Sequence, residues 1–213
     1  MKYILIATSL SLLSYFNPLM AQNDYNDLRE DLTIGFKAGI NYSNVWDEDG
    51  QDFKADPRVG FAGGAFISIP IGKYLGIQPE VLISQKGYEA KGTLLGTSYS
   101  SSRTTTHLDV PLQLQFKPSE FISIVAGPQF SYLFNQKDSY TFGANSTEQE
   151  KEFKNENLRK NTLGFLTGVD IMLKHIVLSG RAGWDLQTNN GDGSSTTPRY
   201  KNQWLQFTVG YVL

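Results

Sequence analysis

Cysteine is missing from the chain altogether. Its absence removes a disulfide scaffold, a thiolate zinc site, a cysteine nucleophile and a lipid anchor on cysteine. Histidine is scarce, with His107 and His175 the only 2. A strong excess of either charge is missing too. The formal net charge is −2, so no global basic field points to nucleic acid. Past residue 21 there is no apolar run near the roughly 20 residues that a membrane helix needs, which excludes a helical membrane protein. A membrane β-barrel stays open, because polar connections and inward residues pull a barrel's mean hydropathy down; here it is −0.30. What the chain does have is 20 glycines and 13% aromatics among 213 residues. That mix favours strands and turns. Hydrophobic residues at 40% and charged residues at 19% place it outside the disordered class.

Residues 1–21 read MKYILIATSLSLLSYFNPLMA. Lys2 supplies a positive start, Tyr3 to Leu13 an apolar core, and Leu19-Met20-Ala21 a cleavage site with the small residue in place. The pattern is that of a secretory signal peptide. Residues 22–31 follow as a polar, periplasmic N-terminal spacer, and 32–213 form the remaining domain. Export without cysteine fits a Gram-negative envelope.

From Leu32 onward the chain alternates with period two, the signature of strands. In the first stretch Leu32, Ile34, Phe36, Ala38, Ile40 and Tyr42 share one face, and Thr33, Gly35, Lys37, Gly39 and Asn41 the other. In the fourth, Leu108, Val110, Leu112, Leu114 and Phe116 oppose Asp109, Gln113 and Gln115. The last sets Leu205, Phe207, Val209, Tyr211 and Leu213 against Gln206, Thr208 and Gly210. Eight such stretches occur. Their connections are short around Ile71-Gly72-Lys73, Lys117-Pro118-Ser119-Glu120 and Lys174, and long and polar at 43–57, 89–103, 135–160 and 187–200. This predicts an all-β, eight-stranded antiparallel up-and-down transmembrane barrel, with short periplasmic turns and long extracellular loops. Closure leaves no backbone group unpaired in lipid. A soluble lipocalin-like barrel, apolar inside, is the competing arrangement. Against it stand a polar face of Gly, Ser and Gln suited to a narrow lumen, the asymmetry of the connections, and a last strand with Tyr211 third from the end, like a signal for the outer-membrane assembly machinery.

The segments GFKAGINYSN at 35–44, GFAGGAF at 60–66, IQPEVLISQKG at 77–87, LDVPLQLQFKP at 108–118 and AGPQFSYLF at 126–134 resemble the outer-membrane β-barrel domain family of Bacteroidetes, whose members are often labelled porin family or PorT-like. The resemblance implies an eight-stranded outer-membrane barrel and no catalytic residues.

Lys37, Glu80, Lys86, Asp109, Asp170, Arg181 and Asp185 all fall on the small polar face. Near mid-membrane each would cost several kcal/mol against lipid. They are expected in the lumen, paired into an ion-pair network that plugs it; a proton or ion path is the other use. His107, expected at the mouth of the fourth strand with Ser100, Ser101, Ser102 and Asp109 close in sequence, could be imagined as the core of a lipid hydrolase. The serines lie in GTSYSSSRTTT, which reads better as a flexible or strand-extending loop. His175 falls at a short turn and is expected in solvent. Asp47-Glu48-Asp49-Gly50-Gln51-Asp52 crowds acids as a calcium site does but lacks EF-hand spacing. Asn189 to Gly193 is turn chemistry, and Glu148–Lys160 alternates charges as a short surface helix would. The expected function is a non-enzymatic outer-membrane barrel, structural or binding an external or envelope partner through its loops. It is expected to have no cofactor, metal or nucleic acid, and outer-membrane lipid as its surroundings. A hydrolase built on His107 and a narrow channel are the alternatives.

Overall fold

A computed structural model describes residues 27–46, 55–94, 97–142, 145–151, 159–189 and 200–213. A single 3-10 turn, Leu28–Glu30, precedes β1 (Thr33–Trp46), β2 (Asp56–Gly72), β3 (Leu75–Leu94), β4 (Thr97–Phe116), β5 (Ile122–Phe142), β6 (Asn145–Lys151), β7 (Asn161–Leu173), β8 (Ile176–Asp185) and β9 (Lys201–Val212). Antiparallel pairing runs β4-β3-β2-β1-β9-β8-β7-β5, and β4 pairs with β5 to close an eight-stranded ring. The first and last strands meet from Gly35 opposite Val212 to Trp46 opposite Lys201. Short turns join β2 to β3 and β7 to β8; in the second, Lys174 takes φ 58°.

The faces fall as the alternation predicts. Along β9 every second residue from Asn202 to Val212 is buried, and every residue between is exposed. The wall is apolar and open: Leu114 is 65% exposed, Val209 58% and Phe36 57%. A wall this apolar meets lipid, not water. The inner face holds Lys37, Glu80, Lys86, Asp109, Asp170 and Arg181, all buried, the reverse of a soluble carrier. Described strand lengths suit the crossing, since a tilted strand spans the hydrocarbon with about 9–11 residues. Among the described residues no helix is long and apolar enough to cross a membrane.

Two expected connections turn out differently. The stretch 89–103 is not a loop. β3 makes its last rung with β2 at Glu89 but stays paired with β4 as far as Leu94 opposite Thr97. Ser and Thr repeats extend well in a strand, so the low-complexity run lengthens the hairpin. The stretch 135–160 contains no helix at Glu148. β5 continues to Phe142 and turns back into β6, paired from Gln136–Lys151 to Phe142–Asn145. Pairing to an existing edge satisfies the backbone of 145–151, as a short charged helix could do only with its own ends open. β3 to β6 therefore form a sheet beyond the ring, rising past Glu89 by Ala90–Leu94, about 17 Å at ~3.4 Å per residue.

Candidate functional site

The lumen is built from side chains that alternate inward on eight strands. Lys37 of β1 donates from Nζ to Glu80 Oε1 of β3 at 2.5 Å. Arg181 of β8 grips Asp170 of β7 at 2.8 and 2.9 Å, and its Nη2 lies 3.7 Å from Glu80. Its Nε donates to Gln113 Oε1 at 3.1 Å. Gly168 makes room for this guanidinium, since a Cβ there would stand 2.6 Å from Arg181 Cδ. Two cations thus face two acids, and the group is neutral. A buried ion costs several kcal/mol unless paired and hydrogen-bonded, and here both conditions hold.

A second group lies nearer the extracellular end. Lys86 pairs with Asp109 at 3.1 Å, and Ser84 Oγ donates to the same carboxylate at 2.7 Å. The Lys86 ammonium also sits 3.8 Å from the centre of the Trp204 ring, a cation–π contact. Gly183 lets that ring in, because a Cβ there would collide with Trp204 Cζ2. Asp185 stands apart from the other acids. Its carboxylate accepts from the Asn202 side chain at 2.6 Å and the Asn202 backbone N–H at 3.2 Å. Six of the seven charges expected in the lumen thus meet in ion pairs, while Asp185 is held by an amide.

Below the lower group the polar ladder continues. Gln78 donates to Glu80 at 2.6 Å, Gln115 donates to Gln78, and Ser68 donates to Gln115 at 2.7 Å. Lys117 then donates to Ser68 and to the Arg29 carbonyl, both at 3.2 Å. The 3-10 turn therefore sits against the periplasmic mouth. Phe66, Val177 and Val212, with Met172, form an apolar cluster beside it. The cavity left there is about 30 Å³, room for a water or two. On the turn, the hydrogen bond from Arg29 holds the Asp27 carboxyl down to about 2. Lys86, Gln113, Gln129, Gln136, Asp109 and Asp138 are each under 2% exposed, so side chains fill the passage at several heights.

The rim carries a pair that the sequence pattern does not reveal. Arg103 donates to Asp138 at 2.7 and 2.9 Å, directly across from it on the neighbouring strand. Strict alternation from Ser131 and Leu133 would turn Asp138 outward. A bulge intervenes: Thr106 opposes Asn135 while His107 opposes Leu133. The extra residue, Phe134, flips the face of everything after it, so Gln136 and Asp138 point in. Tyr88 and Tyr200 meet edge to face at 5.4 Å nearby.

His107 is buried within the lumen, not at the strand's mouth. Ser102 lies five residues up the strand, about 17 Å away at ~3.4 Å per residue, so the imagined grouping with Ser100, Ser101 and Ser102 does not assemble. Ser84, which does lie opposite His107, is engaged by Asp109. His175 is exposed at its turn, its Nδ1 3.1 Å from the Val212 carbonyl. The acidic run 47–52 and the segment 190–193 lie outside the described residues. Among the described residues, no three acidic or histidine side chains cluster to hold a metal.

A family model described as "Outer membrane protein beta-barrel domain" matches residues 20–188. No curated protein matches the chain. Among solved structures, the chain is similar to the attachment invasion locus protein Ail of Yersinia pestis in complex with a heparin analogue, sucrose octasulfate, at 13% identity and TM-score 0.47, covering 85% of this chain and 99% of that one. It is similar also to Neisserial surface protein A, at 14% identity and TM-score 0.46 over 84% and 96% of the two chains. A major outer membrane protein of Thermus thermophilus is similar at 15% identity and TM-score 0.46, over 86% and 100%.

Proposed function

The chain belongs to the outer membrane protein β-barrel domain family, and from that premise we propose that it is a non-enzymatic, plugged barrel that presents a binding surface outside the cell. It is exported by the leader at 1–21, which is removed, and assembled by the outer-membrane machinery, with both termini on the periplasmic side. The observation that carries the reading is a contrast along the barrel axis. The lumen is crossed by paired charges from Lys37 to Arg103, whereas β3 to β6 continue as paired strands past the ring. A wall of this kind spends its length on display, and an eight-stranded lumen has room for side chains but not for an aqueous channel.

Two measurements test this. Pure protein in planar bilayers is expected to give no large stable conductance; steady porin-sized steps would put a channel in its place. Replacing 90–101 and 137–150 by short turns is expected to leave a folded barrel while abolishing attachment of cells to the external partner. Attachment that survives the shortened strands would remove the display role.

A further inference from the structure

The protein's 3 tryptophans are not spread around the barrel. Trp46, Trp184 and Trp204 all line one groove of about 570 Å³ on β8, β9, β1 and β2. Aromatic girdles of membrane barrels normally run around the whole interface. Exposed tyrosines do stand elsewhere on this wall, Tyr99 on β4 and Tyr132 and Tyr140 on β5, so it is tryptophan alone that gathers in one sector. Trp204 points into the lumen and reaches the groove past Gly183, while Trp46 and Trp184 form its outer walls.

Register gives the groove a direction. Ala182, Leu205 and Tyr42 lie on one rung. Two residues toward the outside, Trp184, Gln203 and Asn44 share the next. Two further on, Lys201 lies opposite Trp46, its Nζ 5.1 Å from that ring's centre. The rungs are about 7 Å apart at ~3.4 Å per residue. From the membrane outward the groove thus runs from an apolar floor to a pair of amides, and the Lys201 ammonium stands just outside it, against the Trp46 ring. That is the order of an acyl chain, its ester linkages and its phosphate. The small Ala182 leaves the depth that a chain would fill. The occupant that this gradient fits is a lipid, because an inserted apolar peptide segment has no reason to end on a cation.

We propose that this groove is a selective site for an anionic, phosphate-bearing lipid of the outer leaflet, with the acyl chain against Trp184, Leu205 and Tyr42 and the phosphate at Lys201. The tryptophans report on it directly. The full-length mature chain is refolded into phosphatidylcholine vesicles holding a fixed fraction of lipid brominated on its acyl chains. Brominated phosphatidylglycerol is compared with brominated phosphatidylcholine as quencher of the intrinsic fluorescence. At equal mole fraction the anionic lipid is expected to quench at least twofold more effectively. Lys201→Gln should bring the ratio to one, Lys201→Arg should keep it, and Ala182→Phe should weaken quenching by both lipids. Heat-modifiable migration on gels confirms that each variant is a folded barrel. Equal quenching by the two lipids in the unmodified chain, or a ratio that survives Lys201→Gln, would overturn the proposal.

Discussion

The two buried charge groups of the lumen solve the same problem in different ways. The lower one sets Lys37 and Arg181 against Glu80 and Asp170 and is neutral by pairing. The upper one pairs Lys86 with Asp109, while Asp185 makes no direct pair with it and feels only the attraction of its charge. It makes up the difference with neutral donors, Ser84 to Asp109 and Asn202 to Asp185, and it rests its cation on an aromatic face. The contrast teaches that a narrow barrel need not balance its charges at every height. Hydroxyl and amide groups fixed by packing can stand in for an absent cation, as a site's own solvent.

The comparison breaks most directly at its cations. Removing one partner of a buried pair costs about 3–5 kcal/mol. Lys86→Met unpairs Asp109 and also removes the attraction that Asp185 feels, whereas Arg181→Met unpairs Asp170 but leaves it, like Glu80, attracted by Lys37. Urea unfolding of the barrel in vesicles is expected to show a larger loss for Lys86→Met than for Arg181→Met. The opposite order would mean that the neutral donors, not Lys86, carry the upper group. Combining Lys86→Met with Asp109→Leu should recover part of the loss.

A charge on the other side of the same strand has neither solution available. Leu112 is 53% exposed on the wall, and an arginine near the membrane midplane costs about 2–4 kcal/mol. Leu112→Arg is expected to impair refolding well beyond Leu112→Ala. Thiol labelling sharpens the point: Leu112→Cys should be reached by a lipid-phase quencher, and Gln113→Cys should stay shielded. A reversed pattern would exchange the inner and outer faces of the barrel.

The upper group also depends on the space at Gly183. Gly183→Ala should push Trp204 off Lys86 and cost about 1–3 kcal/mol, the usual range for overpacking. A blue or red shift of the tryptophan emission would accompany it. No comparable effect is expected from Gly72→Ala, since a Cβ there meets nothing within 4 Å.

The smallest effect is expected where charges pair in water. Asp27 is held at about 2 by Arg29, below the roughly 3.9 of a free aspartate. Its contribution is therefore present above about pH 4 and lost as the pH falls through about 2. For a pair that is only half-buried and open to water it amounts to about 1 kcal/mol or less. Asp27→Asn should remove that small acid-range slope and leave both lumen groups untouched. A large effect would make the turn at Leu28–Glu30 a more integral stopper of the periplasmic mouth than its half-buried ion pair suggests.

The class of fold and the sorting of residues between lipid and lumen were legible in the chain, because alternation is a local property of extended backbone. Leu112 and Val209 face out, and Lys37, Glu80 and Asp170 face in, as period two requires. Which charges meet was not legible. Lys37 and Glu80 are 43 residues apart, Arg181 and Gln113 68, and their meeting depends on how far each strand slides along the next as the ring closes. Nor did the pattern contain the bulge at Phe134 that turns Asp138 toward Arg103, the pairing that carries 89–103 and 145–151 on as strands, or the convergence of three tryptophans on one sector. Local alternation assigned side chains to the wall or the lumen everywhere but past Phe134 on β5. Register, closure and one inserted residue, all properties of strands held side by side, decided what each side chain touches there.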